Sequence, residues 1–165
     1  MLKFIGVVYL VLSLYLILGG NTDTVPTVEI RTQYVEVCNG EVFSEEALIQ
    51  AIKKMKFKHP HVVLAQAKVE TGHFKSNIFR ENNNLFGMKV AWNRPTTAVG
   101  RNRGHAVYRN WRESLLDYAL YSSYYTNHKT EKELYAHLED SYAEDPRYVK
   151  LLRAVVERED LKQLF

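Results

Sequence analysis

The segment that most limits how this chain can fold is "PHVVLAQAKVE", residues 60–70. Proline at its start suits the first helical position, where the missing N–H costs nothing. Gly72 stands where a left-handed residue can end it. Between them the residues are apolar on nearly every side, so the helix has no face to offer to water and must be surrounded by other elements. The chain is therefore expected to be mainly α, with this helix at its centre and a carboxylate, Glu70, at the helix's end.

The flanking sequence supplies the surrounding helices. Ser44 is a good N-cap for a helix with Leu48, Ile52 and Met55 on one face at helical spacing. Asn110, with Glu113 at N3, opens a helix that is expected to turn Leu115, Leu116, Ala119 and Leu120 inward, with Trp111 anchoring its start. Thr130 and Glu133 repeat the capping signal. Asp145 followed by Pro146 is expected to be an N-cap with proline at N1, opening a last helical region that runs to Phe165. Tyr118, Tyr121, Tyr124 and Tyr125 sit on one helix and suit core packing, with one or two left to stack on a ligand. Between the helices, "FGMKVAW" (86–92) and "GHAVYRNW" (104–111) are expected to be short strands joined by "NRPTTAVGRNR" (93–103), a small β-hairpin lobe.

The N-terminus bears on the compartment. Lys3 is followed by an apolar run from Phe4 to Leu18 with Gly19 and Gly20 behind it. That length fits a signal peptide and falls short of the roughly 20 residues of a full span. Residues 1–20 are thus either a signal peptide or an N-terminal anchor held through residues 4–20, and both place the remainder outside the cytoplasm. Residues 21–42, with Val28, Ile30 and Tyr34 in partial alternation, form a linker or short strand, and 43–165 the main domain. Cys38 is the single cysteine, which excludes an internal disulfide and a cysteine metal cluster. His59, His61 and His73 lack the HExxH spacing of a metallohydrolase, so no metal or other cofactor is expected. The net charge of +3 is too small to indicate nucleic acid, which export also disfavours.

Glu70 lies one turn after Gln66, on the face shared with Val63. Apolar neighbours and the negative end of the helix dipole both favour its protonated form. A carboxylic acid held neutral is what a general acid needs in order to protonate a leaving glycosidic oxygen. Asn82, Asn83 and Asn84 then supply amides that can bind sugar hydroxyls and acetamido groups, and Phe86 an apolar face.

The four stretches "LAQAKVETGHFKS", "NNNLFGMK", "AVYRNWRESLLDYALY" and "SYAEDPRYVKLL", in that order, resemble the glucosaminidase family of peptidoglycan hydrolases, which includes flagellar and cell-separation autolysins. The likeness runs from about Phe43 to the C-terminus. It implies a lysozyme-like α-helical fold with a small β-lobe beside the cleft, and cleavage of the β-1,4 bond after N-acetylglucosamine in peptidoglycan glycan strands. It places Glu70 as the catalytic acid, the Asn84–Gly87 turn and Lys89 at the cleft's edge, and Tyr142 near the acid. Gln66, Asn83, Asn84, Phe86, Lys89 and Tyr108 are the candidates for contacts with the sugar.

One feature departs from the family. Members that show a second carboxylate carry it in the β-lobe, yet residues 82–112 contain no Asp or Glu. The substrate's own 2-acetamido group can replace it as nucleophile, with Tyr142 orienting that group. Alternatively Glu81, Glu113, Asp117 or Asp145 supplies a base, or the domain binds glycan without cutting it. Another N-acetylglucosamine linkage, or an amidase label, is a further possibility. The same stretch holds Lys89, Arg94, Arg101, Arg103, Arg109 and Arg112, a basic set suited to the carboxylates of peptide stems and other anionic wall polymers.

Overall fold

The computed structural model describes residues 42–142 and 145–165. The chain divides after Val37, and every described residue belongs to the second unit. The N-terminal segment 1–20, residues 21–41 and Cys38 lie outside the described residues. Among those described, no helix is long and apolar enough to cross a membrane.

Helix α2 (Pro60–Glu70) is the hub, buried without a break from His61 to Lys68. Around it pack α1 (Glu45–Met55), α6 (Tyr148–Arg158) and a terminal 3-10 turn, Leu161–Leu164. Their apolar faces meet Val62, Leu64 and Ala65 of α2 through Leu48 and Ile52, Leu152, Val155 and Val156, and Leu161. α4 (Trp111–Tyr125) closes another side with Leu115 and Tyr118, and α5 (Glu131–His137), continued by a π-helical turn from Leu138 to Tyr142, adds Leu134, Tyr135 and Leu138.

Local chemistry sets the helix ends. Ser44 accepts the Ala47 N–H (3.1 Å) to start α1, and Asn110 accepts that of Glu113 (3.0 Å) to start α4. Thr130 and Glu133 form the expected capping box of α5. α2 stops abruptly: the N–H of His73 returns to the Lys68 carbonyl (2.8 Å) and that of Gly72 to Val69 (3.2 Å), with Gly72 left-handed at φ +55°. Glu70 is thereby left at the edge of the core.

A buried helix carries buried polar side chains, and each must find a partner. Lys68 lies between Glu159 (2.6 Å) and Glu45 (2.5 Å). Burial works against its charge, but the two carboxylates outweigh that and hold its pKa above the ordinary lysine value. His61 faces Glu131 at 3.2 Å, and burial pushes its pKa down.

Four expectations need correction. A short helix that the sequence pattern did not reveal, α3 (Asn77–Asn82), follows Ser76, whose hydroxyl accepts the Phe79 N–H (3.2 Å). The hairpin is smaller than expected and shifted along the chain. β1 (Gly100–Asn102) lies inside the segment taken as a loop, and β2 (His105–Val107) pairs with it antiparallel, Gly100 opposite Val107. Arg103 and Gly104, both at positive φ, make a two-residue turn that fixes this register. Residues 86–92 form no strand, because the chain turns at Gly87; Met88 gives only its carbonyl to the Ala106 N–H (2.8 Å). In α4, Leu116 faces outward at 44% exposure, since the buried face is set by Ser114, Leu115, Asp117 and Tyr118. α6 begins at Tyr148, beyond Pro146; Asp145 accepts the Arg147 N–H (2.8 Å) and closes a turn ahead of the helix.

Lys68 is the buried member of this cluster, while Glu45 and Glu159 keep 36% and 24% of their side chains exposed, so its removal leaves two partly hydrated carboxylates facing each other without their cation. Lys68→Ala is therefore expected to lower the unfolding free energy by about 3 kcal/mol, read from urea denaturation. A loss below about 1 kcal/mol would mean that the cluster behaves as an exposed ion pair.

Candidate active site

The site is built on the segment Asn82–Met88, which the fold holds on three sides. The Asn84 side chain lies inside the turn: its amide donates to the carbonyls of Met88 and Ala106 (both 2.9 Å), and its oxygen accepts the N–H groups of Met88 (3.1 Å) and Phe86 (3.3 Å). The Leu85 N–H is taken by Ser114 of α4 (2.9 Å), and the Phe86 ring stacks on Tyr118 with centroids 4.2 Å apart. Two side chains then grip successive carbonyls from outside. Tyr142 donates its hydroxyl to Phe86 O (2.6 Å), and His105 Nδ1 donates to Gly87 O (3.0 Å).

This clamped turn brings Gly87 against Glu70. A Cβ on Gly87 would lie 2.8 Å from Glu70 Oε2, and φ there is +64°. Contact and conformation both require glycine. Behind the acid runs a hydrogen-bonded chain: the Tyr118 hydroxyl donates to Gln66 Oε1 and Gln66 Nε2 to the Tyr148 hydroxyl (3.2 Å), which lies close enough to Glu70 to favour its charged form. Tyr142 stacks on Tyr148 at 5.9 Å and meets Tyr121 edge-on at 5.6 Å. Glu70 is thus set between a glycine and a layer of tyrosines. Burial raises its pKa above the ordinary carboxylate value, against the Tyr148 hydrogen bond and the charge of His105, which both pull it down.

Several residues expected to touch a ligand are instead part of the wall. Gln66, Asn84, Phe86 and Tyr108 are exposed by 2% or less. Gln66 and Asn84 have their polar atoms committed as above, and the Tyr108 hydroxyl donates to Asp117 (2.7 Å). Asn83, left-handed at φ +53°, donates to the carbonyls of Tyr108 (3.0 Å) and Arg109 (3.3 Å) while staying partly exposed. Lys89 is exposed. The Tyr142 proton is engaged by Phe86 O, so this side chain reaches the acid through the turn and the Tyr148 ring.

The four alternative acids are also engaged. Glu81 pairs with Arg103 (3.2 Å), and Glu113 accepts the N–H of Arg109 (2.9 Å) and its guanidinium (3.1 Å). Asp117 is buried between Arg94 (2.8 Å) and Tyr108, and Asp145 is bound by Arg147. The expected basic face is correspondingly dispersed: Arg94 is 3% exposed in its ion pair, and Arg112 lies over the Trp111 ring at 4.3 Å. Among the described residues no His, Cys, Asp or Glu cluster could hold a metal ion.

Tyr148 and His105 were not singled out from the sequence, and Gly87 only as the last residue of the Asn84–Gly87 turn at the cleft's edge. Gly87 was legible as the glycine closing the "NLFG" turn. Tyr148 and His105 gave no local signal, because their contacts with Glu70 and Gly87 come from α6 and β2.

Comparison with known proteins bears on the family and the fold. Residues 45–161 match the model of the glucosaminidase family, described as mannosyl-glycoprotein endo-beta-N-acetylglucosaminidase. The peptidoglycan hydrolase FlgJ of Salmonella typhimurium is 30% identical over 122 residues, 59% of this chain and 39% of FlgJ. Protein bax of Escherichia coli is 38% identical over 69 residues, 42% of this chain and 23% of bax. The chain thus spans well under half the length of these curated relatives. Among solved structures, the catalytic domain of the autolysin Auto from Listeria monocytogenes superposes with a TM-score of 0.52 at 27% identity, over 73% of this chain and 82% of that one. An N-acetylmuramoyl-L-alanine amidase from Staphylococcus aureus shares the fold alone, with a TM-score of 0.54 at 24% identity over 73% of this chain and 40% of that one. The fold is lysozyme-like and mainly α, with a small two-stranded lobe.

A buried acid with a raised pKa binds its proton more tightly in the folded chain than in the unfolded one. The stability that this contributes is full below the unfolded value, about 4.3, and is lost as pH rises through the folded value. Glu70→Gln removes that loss. Its Tm is expected to exceed that of the wild type at pH 7 to 8 and to converge with it below about pH 4.

Proposed function

This chain belongs to the glucosaminidase family, and from that premise we propose that it hydrolyses peptidoglycan at the β-1,4 bond after N-acetylglucosamine, with Glu70 as general acid. The observation that carries this reading is the carboxyl group itself: one acid whose pKa burial raises, set against a glycine whose added Cβ would lie 2.8 Å from its Oε2. Peptidoglycan as substrate is supported by the likeness to FlgJ, a peptidoglycan hydrolase by name, and to the catalytic domain of the autolysin Auto. Action on that polymer agrees with an exported chain working in the cell envelope, by cleaved signal or by anchor.

Substrate assistance is the route that the surroundings support. A two-carboxylate glycosidase needs a second acid as nucleophile or base. Here Glu81, Glu113, Asp117 and Asp145 are each tied to a cation. In the assisted route Glu70 gives its proton to the glycosidic oxygen as the C1–O bond breaks, and the carbonyl oxygen of the 2-acetamido group bonds to C1. Water then attacks C1 while the Glu70 carboxylate takes its proton, restoring the acetamide and retaining the anomeric configuration. Tyr142 and Tyr148 serve as positioning residues, the first holding the Phe86 carbonyl and the second holding Glu70.

The test of the reaction is the fragment pattern from purified peptidoglycan treated with wild type and with Glu70→Gln. Fragments ending in reducing N-acetylglucosamine, absent with the variant, are expected. Muramic acid ends would move the cut to the other bond. Retention on the wall with no fragments would instead mark a glycan-binding module.

Tyr148→Phe tests the wiring. Loss of its hydrogen bond removes a group that favours ionised Glu70, so the acid stays protonated to higher pH. The alkaline limb of kcat/KM is expected to move upward; an unmoved or lowered limb would mean that Tyr148 does not act on the acid.

A further inference from the structure

His105 is placed on β2 with one ring nitrogen spent and one unspent. A carbonyl oxygen can only accept, so Nδ1, 3.0 Å from Gly87 O, carries the proton. In the neutral ring Nε2 is then an acceptor. The side chain is half-buried, and among the described residues Nε2 has no hydrogen-bond partner. His105 and Glu70 flank the same residue, His105 on the carbonyl of Gly87 and Glu70 at its Cα.

Substrate assistance needs an acceptor for the acetamido N–H, which makes the acetamido oxygen a better nucleophile and takes up the proton as the ring closes. Elsewhere around the turn the acids are bound to arginines, and the Tyr142 hydroxyl proton is given to Phe86 O. We propose that Nε2 of His105 is this acceptor, a catalytic residue touching the 2-acetamido group of the N-acetylglucosamine whose bond Glu70 cleaves. The proposal rests on the substrate-assisted reading. As the acetamido oxygen bonds to C1 and the C1–O bond breaks, the acetamido proton passes to Nε2 and the Glu70 proton to the leaving oxygen. When water opens the oxazoline, Nε2 returns its proton to nitrogen and Glu70 regains one from water.

The test is steady-state kinetics of the exported chain on a soluble peptidoglycan glycan oligosaccharide, with His105→Asn and His105→Gln beside the wild type. Asparagine keeps a short amide able to donate to Gly87 O but has nothing at the Nε2 position. Glutamine extends an acceptor towards that position. His105→Asn is expected to lower kcat by about 100-fold or more with KM and Tm near those of the wild type, and His105→Gln to recover part of the loss. Activity of His105→Asn within a few-fold of the wild type would overturn the proposal and reduce His105 to a clamp on Gly87. A wild type that releases the inverted anomer, or leaves the oligosaccharide uncut, would overturn the substrate-assisted reading itself, and this proposal with it.

Discussion

The contact between the Glu70 carboxyl and the backbone of Gly87 is the constraint on which the rest of the molecule depends. No side chain can stand between them, since a Cβ on Gly87 would fall 2.8 Å from Oε2. Holding a backbone turn that close to a carboxylate requires both partners to be fixed. Glu70 is fixed by the abrupt end of a helix that is buried along its length. Gly87 is fixed by Asn84 from within and by Tyr142 and His105 from outside. Burial then does the chemical work, raising the pKa of the acid in a place where water stabilises its charge poorly.

The same economy governs the polar groups further out. Lys68, Asp117 and Gln66 are buried, and each is satisfied by partners from distant parts of the chain. These networks tie α2 to α6, the hairpin loop to α4, and α4 to α2. The Arg94–Asp117–Tyr108 cluster, closed by bonds of 2.8 and 2.7 Å, secures the loop before the hairpin. The hairpin therefore presents His105 to Gly87 from a braced support, although each of its strands is only three residues long.

Helices and their starts were legible in the sequence where one residue type settles the matter. Ser44, Pro60, Asn110 and Thr130 open helices as their side chains dictate. The central place of α2 followed from its all-round apolarity, and Glu70 from its position at the end. What was hidden depends on tertiary contact. Asn84 and Phe86 read as ligand-facing because amides and rings bind sugars, but the turn uses both to hold itself in place. Asp145 read as an N-cap, yet its carboxylate is drawn to Arg147 and the helix starts later. Tyr148 and His105 carry no local signature, since their roles exist only once α6 and the hairpin are packed against Glu70.

The most direct test of the central claim is a carbon-13 NMR titration of the Glu70 side-chain carboxyl in the wild-type chain, assigned by its disappearance in Glu70→Gln. The midpoint is expected above the ordinary glutamate value of about 4.3. A midpoint at or below that value would mean that the packing around Gly87 does not hold the acid neutral, and would contradict the reading of Glu70 as a proton donor.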